Sequence, residues 1–320
     1  MSDVPRAAPN ATETRDLVRP RAGLTRWPTG LARMTALRRI DLDGNALPHL
    51  PAEVAALPAL ATLSLYANQL THVPDALGDA PALRHLSLGG NRLTRVPDSL
   101  CRLTTLRSLN LAENLLTALP PRLGDLTDLR MLDLGHNRLH HIPDALGDLP
   151  NLTDYLYLSD NGFTSVPASL GRLTGLDYLN LTHNHLTTLP DTLGDMAALR
   201  ELRLYDNHLA TLPSTLGRLT RLRELHLADN HLTVLPHTLG DLHDLRHLDL
   251  RNNPLRHLPD TLGTLHRLRH LDLRATHLRH LPDTLATLPS LEKLDLRWTK
   301  LDQLPPWIQA LRQRGCVVLL

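Results

Sequence analysis

The side chains in this sequence that could do chemistry recur at fixed intervals. The chain has 19 histidines, and three of them, His185, His208 and His231, follow one another in steps of 23 residues. A column of imidazoles could bind a metal ion or titrate near neutral pH. No Cys/His cluster and no helix with a H-x-x-x-H spacing accompanies it. The sequence therefore predicts a solvated edge and no metal site, and it leaves open a response of an interface to pH.

The sequence contains no recognisable catalytic centre. Serine, histidine and aspartate occupy repeated positions, which spread them over a surface and do not gather them in a pocket that excludes water. No glycine-rich phosphate loop is present. The two cysteines, Cys101 and Cys316, form no CxxC pair. We therefore expect no enzymatic activity, no catalytic residues and no cofactor.

Charge and hydropathy narrow the possible partners and the compartment. The chain carries 34 Lys and Arg against 33 Asp and Glu, so no basic field favours nucleic acid. No apolar run reaches 18 residues, which argues against membrane insertion, and residues 1–22 lack the apolar core of a signal peptide. Together with the low cysteine count, these features predict a cytoplasmic protein.

The fixed interval comes from an internal repeat. Each copy contains the frame L-x-x-L-x-L-x-x-N-x-L followed by P-x-x-L-G-x-L, and we call its Asn position the anchor. Thr276 and Thr299 replace Asn at the last two anchors, which makes twelve repeats. The Asn anchors are spaced by 23 residues, apart from one step of 24, and they are Asn45, Asn68, Asn91, Asn114, Asn137, Asn161, Asn184, Asn207, Asn230 and Asn253.

The two halves of the frame predict different local structures. The L-x-L alternation is typical of a strand with one buried face, and the Leu spacings of three and four predict helical or 3-10 turns. A single unit cannot bury its leucines, but stacked units share a continuous core. An amide side chain both donates and accepts, so we expect the stacked anchors to form a ladder that satisfies the buried turns.

The frame, with LP and LG in its second half, resembles the intracellular leucine-rich repeats of Ras-pathway scaffolds, LAP-type polarity proteins and similar bacterial cytosolic proteins. The resemblance covers about residues 24–301. It implies an α/β solenoid, a horseshoe with a parallel concave β-sheet and short helical or 3-10 segments on its convex side. It also implies protein binding through the concave sheet, although a fold does not fix a function.

The segments outside the regular frame define the expected domain organisation. We predict a flexible N-terminal tail at 1–22, and a repeat domain of twelve repeats at 23–301 that begins with a partial cap around Trp27. Residues 302–320 are predicted to form a C-terminal cap, in which a short helix containing Trp307 ends at Gly315 before a last strand.

The residues two, four and six positions before each anchor are predicted to point out of the core. All five tyrosines occupy such positions: Tyr66, Tyr155, Tyr157, Tyr178 and Tyr205. Four of them fall in three consecutive repeats. The first of these repeats is the one reached by the 24-residue step, and its extra residue should form a bulge at the entry to the strand. We predict one exposed aromatic patch here, with Ser159, Asn180, Thr182 and Arg203 between the rings, which is either a site for a partner or aromatic packing that only stiffens the sheet.

The last three repeats place Asp and Arg columns side by side, with Arg251, Arg274 and Arg297 in one column. This pattern suits either a self-neutralising surface or a docking strip for a charged partner.

These features favour a non-catalytic scaffold or adaptor that binds a protein on its concave face. The alternatives are a receptor for a non-protein ligand such as a glycan, and a self-associating array. A pocket between Tyr155, Tyr157 and Tyr178 would favour the small ligand, and an open patch would favour a protein. We expect a monomer, with self-association left open.

Overall fold

The structure, a computed structural model, describes residues 13–320. The chain divides into two compact units, Met1–Arg138 and Leu139–Leu320. Each unit is built from parallel strands, and each strand is followed by a return segment. Among the described residues, no helix is long and apolar enough to cross a membrane.

The strands are three residues long and stack in register within each unit. In the first unit they are β1 (Asp16–Val18), β2 (Arg39–Asp41), β3 (Thr62–Ser64), β4 (His85–Ser87), β5 (Ser108–Asn110) and β6 (Met131–Asp133). In the second unit they are β7 (Tyr155–Tyr157), β8 (Tyr178–Asn180), β9 (Glu201–Arg203), β10 (Glu224–His226), β11 (His247–Asp249), β12 (His270–Asp272), β13 (Lys293–Asp295) and β14 (Val317–Leu319). Each strand buries its middle side chain, and its outer two side chains lie on what we call the open face of the sheet.

The return segments are mostly 3-10 helix. They span Leu31–Arg33, Ala52–Ala56, Asp75–Asp79, Asp98–Arg102 and Leu123–Asp125 in the first unit, and Asp144–Asp148, Ala168–Arg172, Asp191–Asp195, Ser214–Arg218, His237–Asp241, Asp260–Thr264 and Asp283–Thr287 in the second. Proline, as at Pro190, commonly precedes the segment, where its missing N–H leaves no bond unmade. The leucine three residues later points into the core, because a 3-10 helix has three residues per turn.

The leucines of the frame form the core, and most of them are fully buried. At about 1.5–3 kcal/mol for each fully buried leucine, the stacking of neighbouring repeats accounts for the cohesion. This arrangement of parallel strands and 3-10 returns is the predicted leucine-rich-repeat solenoid.

The anchor asparagines make the same set of hydrogen bonds in successive repeats. Asn184, which is 3% exposed, accepts the backbone N–H of Phe163 at 3.1 Å. Its Nδ2 donates to the carbonyls of Leu158, Leu181 and Thr182 at 3.0–3.1 Å. Thr276 keeps only part of this pattern: its hydroxyl donates to the carbonyl of Leu273 at 2.8 Å. The shorter side chain satisfies its own turn and does not reach the preceding repeat.

The N-terminal boundary differs from the prediction. Residues 1–12 of the predicted tail lie outside the described residues, but β1 falls inside the predicted tail and pairs with β2. Leu17 is buried, and the N–H of Ala22 donates to Asn45 Oδ1 at 3.0 Å. Arg21 has the positive φ of 52° that precedes many other anchors. Residues 16–22 therefore form part of a further repeat, with Ala22 at the anchor.

The C-terminal residues have the order that the sequence predicted. Helix α1 (Ile308–Gln313) ends before Gly315, whose φ is 92°, and β14 follows. The indole N–H of Trp307 donates to Asp283 at 3.0 Å, and Ile308 and Leu311 are buried.

Candidate functional site

Three tyrosines at the start of the second unit form one group, which we call the aromatic cluster: Tyr155, Tyr157 and Tyr178. The ring centroids of Tyr155 and Tyr157 are 5.0 Å apart in an edge-on arrangement, and those of Tyr157 and Tyr178 are also 5.0 Å apart. All three side chains are half-buried on the open face. Ring contacts at this separation are favourable, and a centroid spacing of 5.0 Å is too small for a sugar ring to lie between the two rings of either pair.

The extra residue of the 24-residue repeat lies at the entry to β7. The chain bends at Asp154, and the carbonyl of Thr153 accepts the N–H of Asp177 at 2.8 Å. In a regular repeat, one carbonyl, for example that of Arg200, accepts two successive N–H groups of the next repeat. The predicted bulge is therefore present, directly before Tyr155.

Arg203 continues the aromatic cluster onto β9. Its guanidinium lies 5.6 Å from the centroid of the Tyr178 ring, within the range of a cation–π contact. The same guanidinium bonds to Glu201 at 2.5 Å, which fixes its orientation. Burial raises the pKa of Tyr178 well above its ordinary value, so its hydroxyl stays protonated.

The other two tyrosines do not join the cluster. Tyr205 packs edge-on against His183, with 5.1 Å between the ring centroids. Tyr66 belongs to the first unit, where its hydroxyl donates to Glu113 at 2.7 Å. The single patch predicted from four neighbouring tyrosines is therefore a group of three with Arg203.

The polar residues predicted between the rings are internal. Ser159, Asn180 and Thr182 are all buried. Asn180 Oδ1 accepts the backbone N–H of Thr182 at 3.0 Å, two residues further on. Asn180, predicted as a contact residue, thus satisfies the end of its own strand, because a short amide side chain reaches this N–H where a longer one could not.

The same local bond explains the Asp column of the last repeats. Asp249, Asp272 and Asp295 each accept the backbone N–H of the arginine two residues later, at 3.1–3.3 Å. Burial raises the pKa of Asp249. These carboxylates hold the strand ends and are not a free acidic surface.

The three arginines of the predicted strip are bound by these carboxylates. Arg274 makes a two-oxygen contact with Asp272, and Arg297 makes one with Asp295. Arg251 lies 3.5 Å from Asp249. This geometry favours the self-neutralising interpretation over the docking strip, because fork-like guanidinium–carboxylate pairs use the donors that a partner would need.

A shallow groove of about 330 Å³ runs along the open face between β10 and β13. Its histidines touch one another, with ring centroids 5.0 Å apart for His226 and His247 and 5.4 Å apart for His247 and His270. Burial lowers the pKa of His247, and the adjacent His226 lowers it further. A neutral imidazole is therefore favoured there.

Sequence reasoning missed one group that shares His226 with this groove. Glu201, Glu224 and His226 each place one possible ligand atom within 4.8 Å of the others. We call them the carboxylate–imidazole cluster. Aligning the sequences of successive repeats would have revealed this cluster. Glu201 and Glu224 pair across β9 and β10, and His226 follows Glu224 by two residues. By contrast, the predicted histidine column His185, His208 and His231 is an exposed stack with ring spacings of 5.5 and 5.4 Å.

Comparison with known proteins identifies the repeats. The family model described as "Leucine-rich repeat region" matches residues 81–209. The model described as "Leucine rich repeat" matches residues 35–93, 211–255 and 251–301. No curated protein sequence matches the chain.

Solved structures show the same fold in bacteria and plants. A leucine-rich-repeat protein of Leptospira interrogans is 33% identical, with a TM-score of 0.86, and the match covers 92% of this chain and 74% of that one. An internalin of Listeria monocytogenes is 22% identical, with a TM-score of 0.82 and coverages of 97% and 87%. The Arabidopsis receptor kinase HAESA, solved with the peptide hormone IDA and the co-receptor SERK1, is 26% identical, with a TM-score of 0.67 and coverages of 84% and 55%.

Members with this fold are typically binding modules without catalytic activity, and they commonly mediate contacts between proteins. The identity with the Leptospira protein, its coverage of both chains and the family matches from residue 35 to 301 agree with the repeat frame seen in the structure. The chain belongs to the leucine-rich-repeat family.

Proposed function

We propose that the chain is a non-catalytic scaffold or adaptor that binds a protein or peptide on the open face of its second unit, with the aromatic cluster and Arg203 at the centre of the contact. The supporting observation is the continuous surface of three touching rings and one oriented guanidinium. Tyrosine and arginine are enriched among the residues that dominate binding energy at protein interfaces.

The ring geometry favours a protein over a glycan. A sugar held between aromatic rings needs a slot, and neighbouring rings of the aromatic cluster are already in contact. A broad, half-buried aromatic surface instead suits a peptide or a protein side chain laid across it. The HAESA complex, in which a related fold is found with a peptide hormone and a co-receptor, agrees with this proposal.

The charged columns contribute less to this proposal. Arg251, Arg274 and Arg297 are paired with carboxylates of their own strands. We propose that they keep the open face hydrated and stiff, and that a partner contacts them only at the rim. Tyr66, predicted as a contact, is bonded to Glu113 and is not part of the proposed centre.

The test is affinity capture from the source organism with three forms of the chain. These are the wild type, a Tyr155→Ala/Tyr157→Ala/Tyr178→Ala variant, and a Tyr66→Ala control that removes a tyrosine outside the cluster. We expect the wild type and the control to capture the same partner and the triple variant to lose it. With the purified partner, the triple variant should weaken binding by about 30-fold or more, the effect of losing about 2 kcal/mol at a central contact.

Equal capture by all three forms would exclude the aromatic cluster as the contact. Circular dichroism and urea denaturation should first show that the variants are folded.

We further propose a cytoplasmic monomer. The two free cysteines support the compartment, and fractionation and light scattering test the two assignments.

A further inference from the structure

The carboxylate–imidazole cluster combines the donor types that transition-metal dications prefer. Glu201 and Glu224 are register partners on neighbouring strands, and His226 lies on the same face, two residues after Glu224. Their side chains are 22%, 43% and 15% exposed, so the cluster lies at the surface but is not fully hydrated. Two carboxylates with one imidazole resemble three-ligand zinc sites, which keep a fourth position open.

The spacing of the donors fits one ion. His226 Nε2 lies 3.1 Å from Glu224 Oε2. Two donors bound at about 2.0–2.2 Å to one tetrahedral ion are about 3.3 Å apart, so this pair needs little rearrangement to chelate. Glu201 completes the set, since its nearest oxygen is within 4.8 Å of both.

The surroundings of the carboxylate–imidazole cluster provide negative charge that is not fully neutralised and enough space for a cation. Carboxylates directly opposite each other on neighbouring strands repel, and Arg203 neutralises only the Glu201 member of the pair. A dication beside Glu224 would offset the remaining charge. His226 also lines the groove of about 330 Å³, together with His247 and Asp249, which provides room for a water or another fourth ligand.

We propose that Glu201, Glu224 and His226 form a binding site for a transition-metal dication of the zinc class. The imidazole donor distinguishes this class from calcium and magnesium, which take oxygen ligands. The site lies beside the aromatic cluster, but the proposal does not depend on protein binding there.

The test is calorimetric titration of ZnCl2 into the full chain after removal of metal with a chelator. We expect one saturable site per chain. His226→Asn and Glu224→Gln should each weaken it by about tenfold or more, because each removes a donor. The matched control is His208→Asn, which removes an exposed histidine from the stacked column and should leave the affinity unchanged.

A second measurement keeps the test independent of heat signals. Zinc should raise the urea midpoint of the wild type and of His208→Asn, and at the same zinc concentration it should raise the midpoint of the two cluster variants less. Circular dichroism without metal checks that all variants are folded. The proposal is overturned if the wild type shows no saturable binding, if the cluster variants bind as it does, or if His208→Asn weakens binding as strongly as they do.

Discussion

Replacing the anchor Asn184 by alanine should destabilise the second unit, and the hydrogen bonds give the size of the effect. The N–H of Phe163 donates to Asn184 Oδ1 inside the core, and alanine leaves this donor without an acceptor. An unpaired buried N–H costs about 1–3 kcal/mol.

The lost Nδ2 bonds cost less, because the carbonyls keep other donors. Leu181 O still accepts Asn207 Nδ2 at 3.0 Å, and Leu158 O still accepts Asn161 Nδ2 at 3.3 Å. We assign about 0.5 kcal/mol to each of the three shared bonds, the low end for a net hydrogen bond. The free energy of unfolding should therefore fall by about 2.5–4.5 kcal/mol.

Two further variants test this reasoning. Asn184→Thr should keep the bond to its own turn, as Thr276 does, and lose only the bond to Phe163 and the remaining amide contacts. Its loss should be smaller than that of alanine. Thr188→Ala, an exposed site in the same repeat, is the control and should change stability by no more than about 0.5 kcal/mol. Urea denaturation followed by circular dichroism measures all three. If Asn184→Ala matches Thr188→Ala, the ladder does not stabilise the solenoid as argued.

Two other predictions concern packing and pH. Gly217→Ala should cost about 1–3 kcal/mol in urea denaturation, because its Cβ would lie 2.4 Å from the carbonyl oxygen of Thr238. Gly175→Ala, whose Cβ would meet only a methyl group at 3.3 Å, is the tolerant control, and equal losses would contradict the argument. His247→Gln should reduce the loss of stability between pH 7.5 and 5.5, measured by the urea midpoint. The native pKa of His247 is lowered by burial and by its neighbour His226, with opposing contributions from Glu224 and Asp272. Below about pH 6.5 the unfolded state therefore binds more protons, and wild-type stability falls with pH. An identical decline in the variant would show that His247 does not contribute.

Much of the fold follows from the period alone. A fixed step of 23 residues places equivalent residues beside one another, so register, core and anchor ladder were all predictable from the leucine and asparagine positions. The further repeat that contains residues 16–22 was not predictable, because Arg19 and Ala22 stand where the frame has leucine and asparagine. Backbone hydrogen bonds to β2 hold this segment in place. Such bonds do not depend on which side chains the segment carries, so the sequence gives no sign of them.

The sequence predicted which side chains lie on the open face, but it did not predict what each of them does there. Counting from the anchors found the side chains that leave the core, yet it could not separate exposed from internally bonded ones. Asn180 and Asp249 belong to the second kind, because each bonds an N–H of its own strand end. The carboxylate–imidazole cluster depends on neighbours in different repeats, which appear only when the repeats are aligned side by side.

The distribution of chemistry over the open face of the second unit leads to one discriminating consequence. Strands β11–β13 carry charges that pair among themselves, whereas β7 and β8 carry rings whose surface is partly open. A partner bound by Arg274 and Arg297 would have to break their carboxylate pairs, and its affinity would fall steeply with salt. A partner bound by the aromatic cluster would bury apolar ring surface, and its affinity would change little with salt. If the aromatic cluster is the contact, as we propose, the partner should still bind at high salt, and binding should be lost when Tyr155, Tyr157 and Tyr178 are replaced by alanine.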